Sequence, residues 1–472
     1  MDAEVVIGLG VLSLLILLAI GLPVAFALGI CGGLGVLLVT SFDVATDVYG
    51  RETFESVVGY TLVVIPLFVL MGMAAKRSKM GEEVFWIISR RLRRVPGGLG
   101  IATVGAGAVF AAMTGSSAAA VATLGPIAIT EMRKHGYSDR LAAGVVSAAG
   151  TLGILIPPSV VIVLYGVLSG MSIERLLIAG LVPGILTAVL YATAAWFLGR
   201  THVSLPLDVG GGEEKTTSEG DGPVGTGAGR PDGAAGPITM VESEVAPPGV
   251  TPGPWRALVE VFLLFVLVVG GLYAGVFTAV ESAAVGALAS LAILAGRARS
   301  RRFSAVKTSW EALTDTVSIS GMIYALLIGA SIFTLFMTMA GAPQSLADWI
   351  TGLAVPPLLV VALVLLAIIP LGMFLDGFSI LLIMVPLLHP VIVDNLGFDG
   401  IWFAILFVKC IELGLITPPV GINVFVAAGS VPGLSPEVAF RGVMPFFLVD
   451  LMGVVVMFLV PGLITFLPGL MA

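Results

Sequence analysis

Two short stretches decide the fold: LGILIPPS at 152–159 and LGLITPPV at 413–420. They share Leu-Gly-x-x-x-Pro-Pro at an offset of 261, and each sits inside a long apolar run, 141–168 and 400–428. A proline has no N–H and cannot donate to the carbonyl four residues back. Pro157 and Pro158 therefore release the carbonyls of Gly153 and Ile154, and Pro418 and Pro419 those of Gly414 and Leu415. Both runs read as helices broken near their middle. A single break of this kind can be a plain kink, with nearby Ser or Thr satisfying the freed oxygens. Two matched breaks favour a site for a small dehydrated cation, because an unsatisfied carbonyl at membrane depth is costly.

The surrounding chain is a membrane protein. Of 472 residues, 58% are hydrophobic and 11% charged, and mean hydropathy is +1.09. A soluble domain carries about 25% charged residues. The composition excludes a soluble enzyme, a basic nucleic-acid binder and a disordered chain. Residues 201–254 hold eight acids and two bases, so most of the net charge of −7 lies there. Those 54 positions also contain 12 Gly and 8 Pro, the composition of a flexible solvated linker. No ten-residue alternating segments suggest a β-barrel. Cys31 and Cys410 lie in apolar runs and read as two buried thiols. The start MDAEVVIGLG lacks the basic residues of a signal peptide and reads as the beginning of the first membrane helix.

Apolar runs of spanning length fall near 4–20, 23–40, 59–75, 141–168, 176–199, 256–272, 275–295, 318–339, 400–428 and 443–467. Two others, near 98–130 and 357–392, are interrupted at their middle by small or polar residues. A straight helix of that length would be roughly 50 Å, too long for a hydrocarbon core of about 30 Å. Each is expected to be a re-entrant hairpin. With the N-terminus outside, Arg51 and Arg175 fall outside, Lys409 lies within a span, and the other 20 of the 23 basic residues fall inside, as the positive-inside rule requires. The expectation is an all-α polytopic protein whose halves, 1–200 and 255–472, each hold about five spans and one hairpin. The first hairpin opens inside and the second outside, with both termini outside and the 201–254 linker cytoplasmic. Such inverted repeats are a common plan of secondary transporters.

The hairpin tips carry oxygen. The first, MTGSSAAA, offers Thr114, Ser116 and Ser117; the second, LDGFS, offers Asp376 and Ser379. Asp376 is the one tip carboxylate, and it can either add charge to a cation shell or cap the following half-helix. Lys409 and Glu412 stand three apart on one helix and can pair or, less simply, relay a proton. Glu281 and Asp450 receive no role. A cluster at Arg90–Arg94 follows an amphipathic stretch near 80–94 that reads as an interfacial helix. There is no phosphate-loop Gly-Lys-Ser/Thr, so no ATP hydrolysis, no organic cofactor and no enzyme are expected. His135, His202 and His389 give no zinc spacing.

The segments at 115–166, FLDGFSILLIMVP (374–386), ELGLITPPVGINVFV (412–426) and GLPVAFALG (21–29) resemble the large membrane subunit of the tripartite ATP-independent periplasmic (TRAP) transporters. The resemblance covers nearly the whole chain except 201–254. It implies the ion-transporter superfamily fold with an elevator-type transport domain. It also implies sodium-coupled import of a small organic acid across the cytoplasmic (inner) membrane. The partners implied are an extracytoplasmic substrate-binding protein and a small four-helix membrane subunit. Carried over, one Na+ site would use Ser116 or Ser117 with Gly150, Gly153 and Pro157, and a second Asp376 with Gly414, Thr417 and Pro418. Substrate would sit near Ser117, Ser159, Thr417 and Asn423. A proton-coupled organic-anion transporter of the same fold, using Asp376, Glu412 or Lys409, is the alternative. A non-transporting membrane scaffold is a third reading.

Overall fold

The computed structural model describes residues 3–201, 255–300, 304–352 and 355–471. The 201–254 linker lies outside the described residues apart from its first position. Every element within the described residues is a helix. By length and composition, eight helices could cross a membrane, or nine if the bent pair Asp139–Leu155 and Val160–Ser169 counts as one. Ten spans were expected. Ala3–Ala19 and Val24–Val39 fall just short of a full crossing, and the second broken helix divides into Gly400–Leu415 and Ile422–Gly429. Conversely, the arms Pro357–Phe374 and Gly377–Asn395 are each long enough to be included.

The two halves interlock. Val24–Val39 packs along Ala305–Met339, and Ala279–Ser300 packs along Val64–Arg77. The second span of each half thus lies on the third span of the other. Glycine makes the first contact close: a Cβ on Gly32 would stand 2.6 Å from the Phe333 nitrogen, and one on Gly329 would strike the Ala25 carbonyl. Association between helices in lipid depends on small residues of this sort.

Both interrupted runs fold back on themselves. Gly98–Thr114 and Ser117–Lys134 meet at their open ends, where Thr103 faces Met132. Pro357–Phe374 and Gly377–Asn395 close in the same way, with Val360 and Val391 in one apolar cluster. Each hairpin packs on the broken helix of its own half. The two broken helices run in opposite directions. Gly400, at the start of the second, touches Met171, just past the end of the first. Asn423, late in the second, reaches Ser147, early in the first. The later parts then cross over: Val160–Ser169 packs on the second hairpin and Ile422–Gly429 on the first.

Some elements depart from the sequence reading. Phe42–Val58 is a helix, capped by Ser41, that hydropathy passes over because it carries Asp43, Asp47, Arg51, Glu52 and Glu55. Met80–Leu92 buries Met80, Val84, Phe85 and Ile87 against protein, chiefly Gly98–Thr114 and Arg256–Phe265, so its apolar face is not laid on lipid. Buried Arg297 fixes this helix, pairing with Glu83 at 3.0 Å and with Glu260. Glu281 closes the first turn of Ala279–Ser300, accepting the Thr278 N–H at 2.9 Å.

Candidate functional site

The first break follows from its prolines. Asp139–Leu155 ends as the Ile156 N–H reaches the Leu152 carbonyl at 3.1 Å. Positions 157 and 158 supply no N–H, so Gly153 and Ile154 have no helical donor. The Pro157–Pro158 bond is cis. Ser159 then starts Val160–Ser169, its Oγ accepting the Ile162 N–H at 3.3 Å. The two helix axes differ by 41°. Gly153, Pro157 and Ser159 are buried.

The first hairpin tip seats on this break. Gly115 turns with φ +60°, and a Cβ there would lie 3.1 Å from Val160. Ser116 caps Ser117–Lys134, accepting the Ala119 N–H at 3.4 Å. Ser117 is buried and its hydroxyl has no hydrogen-bond partner. Beneath it lies Gly150, where a Cβ would stand 3.1 Å from the Ser117 carbonyl oxygen and 3.5 Å from Asn423 Nδ2. Asn423 is fully buried; its Nδ2 donates to the Ser147 carbonyl at 3.5 Å, and its Oδ1 has no partner. Ser117, Gly150 and Asn423 therefore come together from the first hairpin, the first broken helix and the second broken helix. An open hydroxyl and an open amide oxygen in a buried spot each cost roughly 1–3 kcal/mol unless something occupies them.

The second break is built differently. Past Gly400–Leu415, the Ile416 N–H returns to Leu413 at 3.2 Å and the Thr417 N–H to Gly414 at 3.1 Å. The Gly414 carbonyl, expected to be open, is thus closed by a turn. Thr417 Oγ1 also donates to Leu413 O, at 2.5 Å. The Pro418–Pro419 bond is cis, and Gly421, at φ +43°, leads into Ile422–Gly429. Thr417 and Pro418 are half-buried. Asp376 caps Gly377–His389: Oδ1 accepts the Ser379 N–H at 2.8 Å and Oδ2 the Ser379 hydroxyl at 2.7 Å. Its hydrogen bonds stay within its own turn. What ties this hairpin to its break is backbone contact, since a Cβ on Gly414 would stand 2.7 Å from the Ile369 carbonyl oxygen.

A third feature was legible only in part from the sequence. Lys409 Nζ lies 2.9 Å from Glu412 and 2.8 Å from Asp450, and all three side chains are fully buried. The Glu412 pairing follows from spacing, whereas Asp450 comes from Pro436–Leu459. A lone lysine in an apolar span is the signal that a distant carboxylate is needed. An open cavity of about 860 Å³ lies elsewhere, lined by residues such as Glu52, Glu55, Glu174 and Thr334, and none of the residues selected from sequence faces it. Among the described residues no group of three His, Cys, Asp or Glu is arranged to hold a metal.

Known proteins share this architecture. The chain is 32% identical over 447 residues to the C4-dicarboxylate TRAP transporter large permease protein DctM of Pseudomonas aeruginosa, covering 94% of each. It is 30% identical to the 2,3-diketo-L-gulonate TRAP transporter large permease protein YiaN of Escherichia coli, covering 95% of each. The sialic acid TRAP transporter large permease protein SiaM of Vibrio cholerae is 27% identical, with 91% of this chain and 90% of that protein covered. In three dimensions the chain is similar to the YdaH transporter of Alcanivorax borkumensis, with a TM-score of 0.60, 15% identity and 89% of each chain covered. Residues 11–463 match the family described as "Tripartite ATP-independent periplasmic transporter, DctM component", and the chain belongs to that family of multi-pass transporter permeases.

Proposed function

We propose that the protein is the large permease subunit of a sodium-coupled importer for a small organic acid, working by an elevator motion in the cytoplasmic membrane. The relatives above are named for C4-dicarboxylates, 2,3-diketo-L-gulonate and sialic acid, all organic acids. A further relative, 27% identical, is the isethionate TRAP transporter permease protein DctMQ, of which this chain covers 65%. In this reading a small membrane subunit and an extracytoplasmic binding protein complete the system.

The observation that carries sodium coupling is two unpartnered buried oxygens, Ser117 Oγ and Asn423 Oδ1, on residues that meet at Gly150, on the same helix as the carbonyls that Pro157 and Pro158 leave without helical donors. Neutral oxygens suit a small hard cation better than a soft metal. Sodium there would join hairpin tip, first break and second break, and substrate would complete the space near Ser159 and Thr417. A second ion would draw on the Asp376 charge together with Thr417 and Pro418. Coupling then requires sodium to favour the substrate-competent arrangement.

The test is sodium-dependent thermal stabilisation of the purified permease, with potassium as control. Sodium should raise the midpoint and potassium should not. The double variant Ser117→Ala/Asn423→Ala should lose the response. Equal responses to both ions, or a full sodium response in the double variant, would refute the site.

A further inference from the structure

The buried charges continue as a polar chain across the pseudo-twofold relation of the halves. Thr151 and Glu412 are separated by 261, the offset of the Pro-Pro pairs, and each stands two residues before the glycine of its break, Gly153 or Gly414. Thr151 Oγ1 lies 3.2 Å from the Tyr191 hydroxyl. The Tyr191 ring centroid is 5.9 Å from Lys409 Nζ. Lys409 in turn holds Asp450 and Glu412. Each of these five residues is fully buried. They come from four elements: both broken helices, Leu181–Thr201 and Pro436–Leu459.

We propose that this chain, from Thr151 through Tyr191 to Lys409 with its partners Asp450 and Glu412, is a strut that sets the two helix breaks at one relative position, so that filling one break alters the affinity of the other. The inference rests on the sodium reading above and adds a coupling between the two ion positions. An ion pair inside the protein can hold such a register because removing one partner strands a buried charge. The hydroxyl link is the specific element. Simple packing would need the Tyr191 ring, which meets Phe446 edge-on at 5.9 Å, but not its oxygen.

Tyr191→Phe and Thr151→Val remove the link while keeping ring and volume. The measurement is the sodium dependence of substrate uptake by the full chain, reconstituted with its small subunit and binding protein. Wild type should give a Hill coefficient above one. Each variant should bring it toward one at unchanged protein yield, and the double variant should be no worse than either single, since both break the same link. A sodium-dependent wild type whose steepness survives in Tyr191→Phe would overturn the coupling alone. A wild type indifferent to sodium would overturn the sodium reading and the coupling with it. Reduced yield or reduced maximal rate with unchanged steepness would make these residues structural only and overturn the proposal.

Discussion

Asn423 Nδ2 donates to the backbone carbonyl of Ser147 at 3.5 Å, so a side chain that follows the second Pro-Pro break is seated in the wall of the first broken helix. The contact joins residues 276 apart in the chain. It places one amide oxygen, without a partner, at the junction where Gly150 and the Ser117 turn meet. The two halves thus contribute to one locus.

Removing that oxygen should weaken ion binding without unfolding the protein. Asn423→Ala is expected to lower apparent sodium affinity about tenfold, equivalent to ~1.4 kcal/mol. Sodium titration of uptake at fixed substrate measures this. An unchanged half-saturation would leave Asn423 a packing residue.

Gly414 should tolerate no side chain. A Cβ would meet Gly372 and the Ile369 carbonyl oxygen, all backbone that has nowhere to move. Gly414→Ala should cost about 1–3 kcal/mol by overpacking and prise the second hairpin from its break. Gly429, with nothing within 4 Å, is the control. Thermal unfolding in detergent should separate the two variants; equal midpoints would contradict the close contact.

Asp376 has two roles that substitution can divide. Asp376→Asn keeps an oxygen for the Ser379 N–H, and Asp376→Ala does not. The alanine variant should lose about 0.5–2 kcal/mol of stability, while the asparagine variant should keep it. Both should reduce sodium affinity, because the charge is gone from each. An asparagine variant with wild-type sodium titration would make the residue a cap alone.

Ion pairs should divide by burial. Arg297→Met removes a guanidinium only 4% exposed from between Glu83 and Glu260, leaving Glu260 with Arg256 at 2.8 Å, and should cost roughly 3–5 kcal/mol. Arg51→Ala removes a pair exposed at 71% and 54%, screened by water, and should leave the unfolding midpoint essentially unchanged. Unfolding midpoints of the two variants in the same detergent provide the comparison.

Much of this architecture is legible in the sequence because prolines and small residues punctuate it. The Pro-Pro pairs mark both breaks, and Gly115 and Asp376 mark both tips. The break at Gly414 is less legible, because whether a released carbonyl finds another donor depends on a local turn, here supplied by Thr417. Asp450 and Tyr191 are unreadable for a related reason. Their partners lie on other helices, and no spacing within one helix announces them. Phe42–Val58 is hidden because its charges cancel the hydropathy that would reveal it.

The central claim is that the open oxygens between the two breaks serve sodium during transport. Its most direct measurement is substrate uptake into proteoliposomes holding the permease with its small subunit and binding protein. A sodium gradient should drive accumulation, and an equal potassium gradient should not. Accumulation of the same extent under potassium, with sodium absent on both sides, would contradict it.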